Sequence, residues 1–288
     1  MNEEKNKVLP STLYLVGTPI GNLADISERA KKVLSEVDFI AAEDTRNSLK
    51  LMTALGIHGE LISYHEHNKK ASGERIVARL LSGESCALIT DAGMPAISDP
   101  GEDLVRLCAE SGITVSVVPG PSAVVSALAL SALSTVRFAF EGFLPVPKAE
   151  RRKRLEAVRR EERTMVFYEA PHKLRATLTD LAECFGEDRK ISLCRELTKL
   201  NEEAIRTTLG EAVRLYEEKE PRGEYVLVIE GAPEGSAAEE EDFSALTPEE
   251  HVAKYEGEGL SRMDAIKRAA KDRGMSKSEL YKLLCKGD

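Results

Sequence analysis

The sequence of 288 residues has few cysteines and no long apolar stretch. Its five cysteines are scattered, without a CxxC pair or a Cys/His cluster, which disfavours a disulfide framework and a zinc site, so we expect no metal. No apolar run reaches the roughly 18 residues that a membrane span needs. The start, MNEEKNKVLPST, lacks the apolar core of a signal peptide. These absences predict a cytoplasmic protein without a membrane partner.

The common nucleotide-binding fingerprints are also missing. No GxGxxG follows the first apolar run, no GxxxxGK[ST] is present, and no HExxH occurs. A nicotinamide-binding Rossmann site, a P-loop and a zinc-protease helix are therefore disfavoured.

The net charge of −9 would ordinarily argue against a nucleic-acid partner. The charge is unevenly distributed, however. An acidic run occupies 239–242, whereas 148–163 and 260–287 are rich in lysine and arginine. Such asymmetry indicates interaction surfaces. For 148–163, a solvated helix face and an RNA contact are equally good interpretations, because Glu161 and Glu162 dilute the positive charge.

Short apolar runs alternate with helical patterns along the chain, which is typical of a mostly parallel sheet covered on both faces. In the first half, strands are predicted at 13–16, 37–42, 61–64, 86–90 and 115–118, and helices at 26–36, 73–82 and 102–111, with a further helix ending at Leu55. Gly56, Gly83 and Gly112 follow helices, as expected for helix stops.

The second half repeats this pattern less regularly. Strands are predicted at 165–168, 191–194 and 225–230, helices at 172–184 and 209–219, and two further helices at 262–273 and 277–285. We therefore predict two α/β domains, at 11–134 and 135–231, an acidic linker at 232–246, and a small basic helical appendage at 247–288.

Three turns rich in glycine and proline follow strands of the first domain. They read GTPIG at 17–21, DAGMP at 91–95 and PGPSA at 119–123. Ligands bind open α/β sheets beyond the carboxyl ends of the strands, and small residues there let the backbone approach a ligand closely. Because the turns carry no basic residue, a multiply phosphorylated ligand is disfavoured. An uncharged pocket with one carboxylate suits a ligand that combines an amino acid, a sulfonium and an adenosine.

A dense set of motifs from about residue 12 to residue 231 resembles the tetrapyrrole methylase superfamily. The motifs are LYLVGTPIGNLADIS (13–27), AAEDTR (41–46), SYHEHN (63–68), LITDAGMPAISDPG (88–101), VVPGPSA (117–123), FEGFLP (140–145), FYEAPHKL (167–174), CRELTK (194–199) and GEYVLVIEG (223–231). Tetrapyrrole methylases proper have turns similar to GAGPG and GDP. GTPIGN and DAGMPAISDPG stand in their places here, which is similar to the ribosomal-RNA branch, the small-subunit (cytidine-2′-O)-methyltransferases.

The resemblance implies a cleft between the two α/β domains that binds S-adenosylmethionine. By position, the expected cofactor-binding residues are Pro19, Asp91, Ala92, Gly93, Ile97, Ser98, Ser122, Ala123 and Tyr168, with Glu224 and Tyr225 approaching from the last motif. It also implies a homodimer, and small-subunit ribosomal RNA or the 30S particle as substrate.

Transfer to a ribose 2′-hydroxyl benefits from a base or a cation near the attacking oxygen. Candidates follow the second strand, at Glu43, Asp44 and Arg46, and the third, at His65, Glu66 and Asn68. His65 and Glu43 are the preferred bases, since His65 titrates near neutrality. The competing interpretation makes Glu43, Asp44 and Arg46 a helix cap with an ion pair.

Three questions stay open from the sequence. Glu169 to His172 fits both a helix start and a wall of the cleft. The basic appendage fits phosphate contacts or packing on a partner subunit. Two other activities compete with rRNA methylation: methylation of a corrin or porphyrin precursor, and RNA binding without catalysis.

Overall fold

The computed structural model describes residues 6–236, 246–257 and 259–284. Contacts divide the chain into two units, one ending at Ala232 and the other beginning at Pro233, and each is described by itself. The acidic run at 239–242 and the cysteine at 285 lie outside the described residues. Among the described residues, no helix is long and apolar enough to cross a membrane.

The first sheet is entirely parallel, as the alternating pattern predicts. Its strands are β1 (Thr12–Val16), β2 (Phe39–Ala42), β3 (Glu60–Ser63), β4 (Cys86–Ile89) and β5 (Thr114–Val118). They lie in the order β3-β2-β4-β1-β5. The crossovers contain α1 (Glu28–Glu36), α2 (Thr45–Leu55), α3 (Lys69–Leu81) and α4 (Glu102–Glu110).

Apolar side chains cover both faces of this sheet. The residues of β2 and β4 are all buried, which explains why these strands are continuous apolar runs rather than alternating ones. One core lies on the α1 side of the sheet and includes Val33 and Leu34, and the other includes Ile76 and Leu104. Gly56 ends α2 in the left-handed conformation, at φ 67°, as predicted.

The second sheet is mixed and largely antiparallel. Its strands are β6 (Phe138–Phe143), β7 (Thr164–Glu169), β8 (Lys190–Arg195), β9 (Glu203–Thr208) and β10 (Tyr225–Ile229), in the order β6-β7-β10-β8-β9. Only the β6–β7 pair is parallel. One face packs against α6 (Lys148–Ala157), α7 (Pro171–Phe185) and α8 (Leu209–Glu218). Strands β6 and β9 were absent from the sequence prediction.

Helix α5 (Ala123–Leu130) links the two halves of the first unit. It follows β5 of the first sheet, yet Val124, Ala127 and Leu128 pack against the second sheet, in a cluster with Val166 and Val228. The two sheets lie on either side of the predicted boundary at 134/135, whereas both belong to one unit by contacts. The division into two domains therefore stays a prediction.

The described residues of the second unit form three helices: α9 (Pro248–Gly257), α10 (Arg262–Asp272) and α11 (Lys277–Leu284). Their core includes Val252, Ile266, Ala269 and Leu280. The side chain of Ser261 caps α10 by accepting a hydrogen bond from the backbone of Asp264. The two predicted helices are confirmed, and α9 adds a third.

Candidate functional site

The three turns meet at one edge of the first sheet, as predicted. Thr18 N–H donates to the Gly93 carbonyl at 2.9 Å, and Gly17 N–H donates to the Val118 carbonyl at 3.1 Å. A Cβ atom on Gly17 would lie 2.6 Å from the Cα of Gly120, so these backbones are in direct contact. The order β4-β1-β5 explains the meeting, because parallel neighbours end at the same edge.

A cavity of about 590 Å³ opens beside these turns, and residues of the second sheet form its other wall. Its volume lies in the ordinary range for small-molecule sites. The predicted residues that line it are Asp91, Ala92, Gly93, Ile97, Ser98, Ser122, Ala123, Tyr168 and Glu43, together with Glu224, Tyr225, Glu169 and His172. Binding of a cofactor by these residues stays a prediction.

Two predicted site residues, Pro19 and His65, lie outside the lining. The first turn contributes Ile20 instead of Pro19, and the backbone of its Gly17 and Thr18 bonds to the other two turns. His65 follows β3, which lies at the outer edge of the sheet with β2 between it and β4. There its backbone N–H donates to the Asn68 side chain at 2.8 Å, and Asn68 in turn donates to the Ser63 carbonyl.

The polar residues that follow β2 have two different roles: some cap a helix, and one lines the cavity. Asp44 caps α2 and pairs with Arg46 at 2.8 Å, so the capping interpretation is confirmed for these two residues. This partner lowers the pKa of Asp44 to about 2. Glu43 instead lines the cavity, where it accepts a hydrogen bond from the Thr90 hydroxyl at 3.0 Å.

Most charged side chains of the cavity are carboxylates. Five acidic residues line the cavity: Glu43, Asp91, Asp99, Glu169 and Glu224. The lining also includes the basic side chain of Lys199. The sequence predicted one carboxylate in an uncharged pocket, and this was wrong. Burial, followed by the negative charge of Glu43, raises the pKa of Asp99 to about 6. Asp99 was missed as a site residue, although it lies inside the quoted motif LITDAGMPAISDPG.

The loop after β4 has an unusual backbone. Ala96 and Ser98 have φ angles of 67° and 61°, a region that residues with a Cβ rarely adopt. Asp91 is fixed at the start of this loop, because the Asn47 side chain donates to its carboxylate at 3.0 Å. Ile97, between the two left-handed residues, is 49% exposed and lines the cavity. The strain therefore falls in the loop that forms the cavity wall.

The second sheet contributes an aromatic and a buried acid. Tyr168 lines the cavity near the end of β7, and burial raises its pKa to about 12. The carboxylate of Glu169 accepts from the Ala170 backbone at 2.8 Å and from the Thr177 hydroxyl at 2.5 Å. Pro171 begins α7 directly afterwards. This segment is thus a helix start and a cavity wall at once, so both sequence interpretations hold.

Lys199 lines the cavity from the loop after β8. Its ammonium group contacts Glu196 and Glu224, each at 2.8 Å. The loop passes close to the first turn, since a Cβ on Gly21 would collide with the Lys199 side chain. The sequence quoted CRELTK as a motif without assigning it a role.

The basic segment 148–163 is largely neutralised within the fold. Its arginines pair with acids as follows: Arg151 with Asp180 at 2.6 Å, Arg152 with Glu183 at 2.5 Å, Arg159 with Glu156 at 3.8 Å, Arg163 with Glu161 at 2.7 Å, and Arg154 with Glu141. Asp180 is buried, so its pair with Arg151 fastens α6 to α7. The structure favours a structural role for much of this charge.

The cavity lies at the carboxyl ends of the parallel strands of the first sheet, and the mixed second sheet forms its other wall. This arrangement is typical of an α/β protein that binds a small ligand. Residues 12–213 match the family described as "Tetrapyrrole (Corrin/Porphyrin) Methylases". The chain belongs to this family and is therefore a methyltransferase. The expected resemblance and fold class are confirmed.

Similar proteins place the chain within a branch of the family. It is 47% identical to "Ribosomal RNA small subunit methyltransferase I" of Halalkalibacterium halodurans over 272 residues, which cover 94% of each chain. The protein of the same name from Bacillus subtilis (strain 168) is 47% identical over 270 residues, covering 93% of this chain and 92% of the relative. The crystal structure of a uroporphyrin-III-C-methyltransferase from Thermus thermophilus has the same fold, with a TM-score of 0.54, 22% identity, and coverage of 76% of this chain and 94% of that chain.

Proposed function

We propose that this protein uses S-adenosylmethionine to methylate the 2′-hydroxyl of a cytidine in small-subunit (16S) ribosomal RNA. The single observation that carries the proposal is the acidic cavity where the three turns meet. The names of the relatives support the RNA substrate, because 47% identity extends over nearly the whole chain.

The cavity fits a cofactor that carries a sulfonium and an ammonium group. Carboxylates of Asp91 and Asp99 supply opposite charge, whereas that of Glu224 is already paired with Lys199. Ser122 makes no side-chain cap on α5, and although the Val124 backbone interacts with the Tyr168 hydroxyl, the neighbouring N–H groups of Ala123 and Val125 can serve a carboxylate. Apolar side chains of Ile20, Met94, Leu197 and Val226 complete the lining.

When bound, the cofactor supplies an activated methyl group with a good leaving group. The protein's own residues then have to place the ribose hydroxyl and accept its proton. Asp99 is suited to accept it, because it lines the cavity and has a pKa near 6, within reach of neutral pH. Glu43 also lines the cavity, with Thr90 as its hydrogen-bond donor, whereas His65 lies outside. We therefore prefer Asp99 over both bases predicted from the sequence.

The acid-rich interior constrains how RNA approaches. Phosphate groups are repelled by Glu43, Asp91 and Asp99, so the target nucleotide is expected to be splayed out from the chain with its ribose in the cavity and its phosphates outside. We propose that lysine and arginine side chains of α10 and α11 contact the RNA backbone. Removal of residues 245–288 should then weaken RNA binding while leaving cofactor affinity largely intact. If the truncated protein binds RNA as tightly as the full chain, this role is refuted.

The proposal also covers the macromolecular substrate, the cellular compartment and the oligomeric state. The substrate is the 30S particle or its rRNA, so the enzyme acts in the cytoplasm, where ribosomal subunits assemble. The protein is expected to act as a homodimer, which light scattering on the purified chain tests directly. A monomeric mass at micromolar concentration would refute the dimer without affecting the proposed reaction.

Methyl transfer from labelled cofactor tests the function directly. Small-subunit particles, naked small-subunit rRNA and a tetrapyrrole precursor are offered separately, and the RNA is then digested to nucleosides. We expect label in a 2′-O-methylated cytidine. Label in the tetrapyrrole alone would establish the competing activity, and cofactor binding without any transfer would favour a non-enzymatic RNA-binding protein.

A further inference from the structure

An exposed aromatic side chain stands at the mouth of the cavity, and the proposed mechanism does not use it. Phe143 is 57% exposed and lines the cavity, although the chain contains only seven phenylalanines. A single exposed apolar residue is common on protein surfaces. Its position in the lining of an acidic cavity is what requires an explanation.

A β-bulge directs Phe143 toward the cavity. The pairing of β6 with β7 shifts register between Phe140 and Gly142. Gly142 has a φ angle of 65°, and a Cβ there would lie 3.1 Å from the Ser98 hydroxyl. Bulges beside active sites re-aim side chains in this way. The strand end of the second sheet is thus brought against the strained loop of the first.

Phe143 is supported from within the fold. Its ring lies 5.4 Å from the ring of Tyr168, at an interplanar angle of 57°. Tyr168 contacts Phe140 in turn, edge to face, at 5.1 Å. These contacts restrain the ring of Phe143 while more than half of its surface stays open. An aromatic ring that is held in place and exposed is a ready stacking surface.

A second apolar side chain occupies the adjoining loop. Ile97 lines the cavity, is 49% exposed, and directly precedes Ser98, which the Gly142 backbone approaches. The mouth therefore presents apolar surface from both halves of the unit, beside acidic side chains that include the exposed Asp91 and Glu224. A flat, uncharged group with an apolar face fits such a mouth, whereas a phosphate does not.

We propose that Phe143 is the platform on which the base of the target nucleotide stacks while its ribose occupies the cavity. The inference rests on the proposed function, since it requires an RNA substrate. Within RNA, the base is the flat, uncharged part, and aromatic side chains bind unstacked bases through their faces. Phe143 would thus be a positioning residue that determines where the 2′-hydroxyl lies.

A new tryptophan offers a direct readout, because the chain contains none. In Phe143→Trp, the single indole should be quenched on addition of unmethylated, in vitro transcribed small-subunit rRNA. Phe138→Trp is the matched control: Phe138 lies on the same strand, is 39% exposed, and is absent from the cavity lining. Quenching of the first variant and not of the second supports stacking. Equal responses would overturn it.

Kinetics of conservative variants test how much the aromatic ring of Phe143 contributes to rRNA binding. Phe143→Leu retains apolar volume and loses the aromatic face, so KM for rRNA should rise about 5- to 100-fold. Phe143→Tyr and Phe138→Leu should both stay within about threefold of the wild type. Cofactor affinity, measured by calorimetry, should not change in Phe143→Leu. A parallel loss of cofactor affinity would make Phe143 part of the cofactor wall and overturn the proposal.

Activity of the wild-type protein distinguishes failure of the proposed function from failure of the stacking role. If it methylates no rRNA, the proposed function fails, whatever the variants do. If it methylates rRNA normally and Phe143→Leu does so with the same KM, the function stands and the stacking role is wrong.

Discussion

The Thr90 hydroxyl donates a hydrogen bond to the Glu43 carboxylate at 3.0 Å, joining the ends of two neighbouring strands. Strands β2 and β4 pair with Ala42 opposite Ile89, so the residues that follow them meet at the cavity. Asp99 interacts with the same hydroxyl. This hydroxyl lowers the pKa of Asp99, but burial and then the negative charge of Glu43 outweigh it and raise that pKa to about 6.

The first prediction concerns the pH dependence of stability. The pKa of Asp99 is about 6, against an ordinary value of 3.8, so between these values the folded chain binds more protons than the unfolded chain. This group therefore makes the free energy of unfolding fall as the pH rises from about 4 to 6. Asp99→Asn should abolish that component, as measured by urea unfolding across the window. An unchanged slope in the variant would contradict the raised pKa.

The same variant tests catalysis. If Asp99 accepts the proton of the attacking hydroxyl, Asp99→Asn should lower kcat for rRNA methylation by about 100-fold or more. The wild-type rate should also fall as the pH drops through about 6, because the protonated acid cannot act as a base. A variant with nearly wild-type kcat would move the proton acceptor to Glu43 or to solvent.

The second prediction concerns Thr90, whose side chain is buried. Thr90→Val removes the donor from Glu43 and should cost about 1–3 kcal/mol of unfolding free energy. Thr90 also holds down the pKa of Asp99, so the acidic limb of the rate profile should move to higher pH. Thr90→Ser keeps the hydroxyl and serves as control. If both variants shift the limb equally, the hydroxyl is not responsible.

The third prediction concerns the contact between turns. Gly17→Ala would place a methyl group 2.6 Å from the Gly120 backbone, which cannot move aside like a flexible side chain. We expect a loss of about 1–3 kcal/mol or more in thermal or urea unfolding, with weaker cofactor binding. Gly59→Ala is the matched control in the same unit, because its new Cβ would lie 3.7 Å from Ile40. Equal stability of the two variants would refute the close contact.

The first sheet was predictable because β2 and β4 are fully buried apolar runs and because Gly56, Gly83 and Gly112 follow three of the helices between its strands. The second sheet was harder to predict. The pattern of β6 is broken by the bulge at Gly142, and the residues of β9 are half-buried or exposed, so no apolar run marks it. Periodicity identifies strands only where burial is regular.

Some residues of the site could likewise be predicted from the sequence, and others could not. Turns after β1, β4 and β5 could be assigned to one edge, because parallel strands all end there. Local sequence does not determine the order in which strands lie side by side. His65 was therefore favoured as a base, although β3 lies at the outer edge of the sheet, away from the turns. Asp99, Lys199 and Phe143 reach the cavity through loops or a bulge that bring distant segments together. Such long-range approaches leave no periodic signal.

The last prediction concerns His251 in the second unit. Its side chain is fully buried, and Arg273 donates to its Nδ1 at 3.0 Å. Burial, and then the positive charge of Arg273, lowers its pKa below the ordinary 6.5. The unfolded chain therefore binds the proton more readily, so the stability contributed by neutral His251 is present above pH 6.5 and is lost as the pH falls below it.

Hydrogen exchange over residues 246–284, corrected for the intrinsic effect of pH, measures this dependence within α9, α10 and α11. Protection should decrease on acidification below pH 6.5 in the wild type. His251→Asn keeps a side-chain acceptor for Arg273 without a group that titrates in this range, so its lower protection should be independent of pH. A wild-type profile that is flat from pH 7 to 5, or a variant that follows the same decline, would show that His251 does not control the stability of this unit.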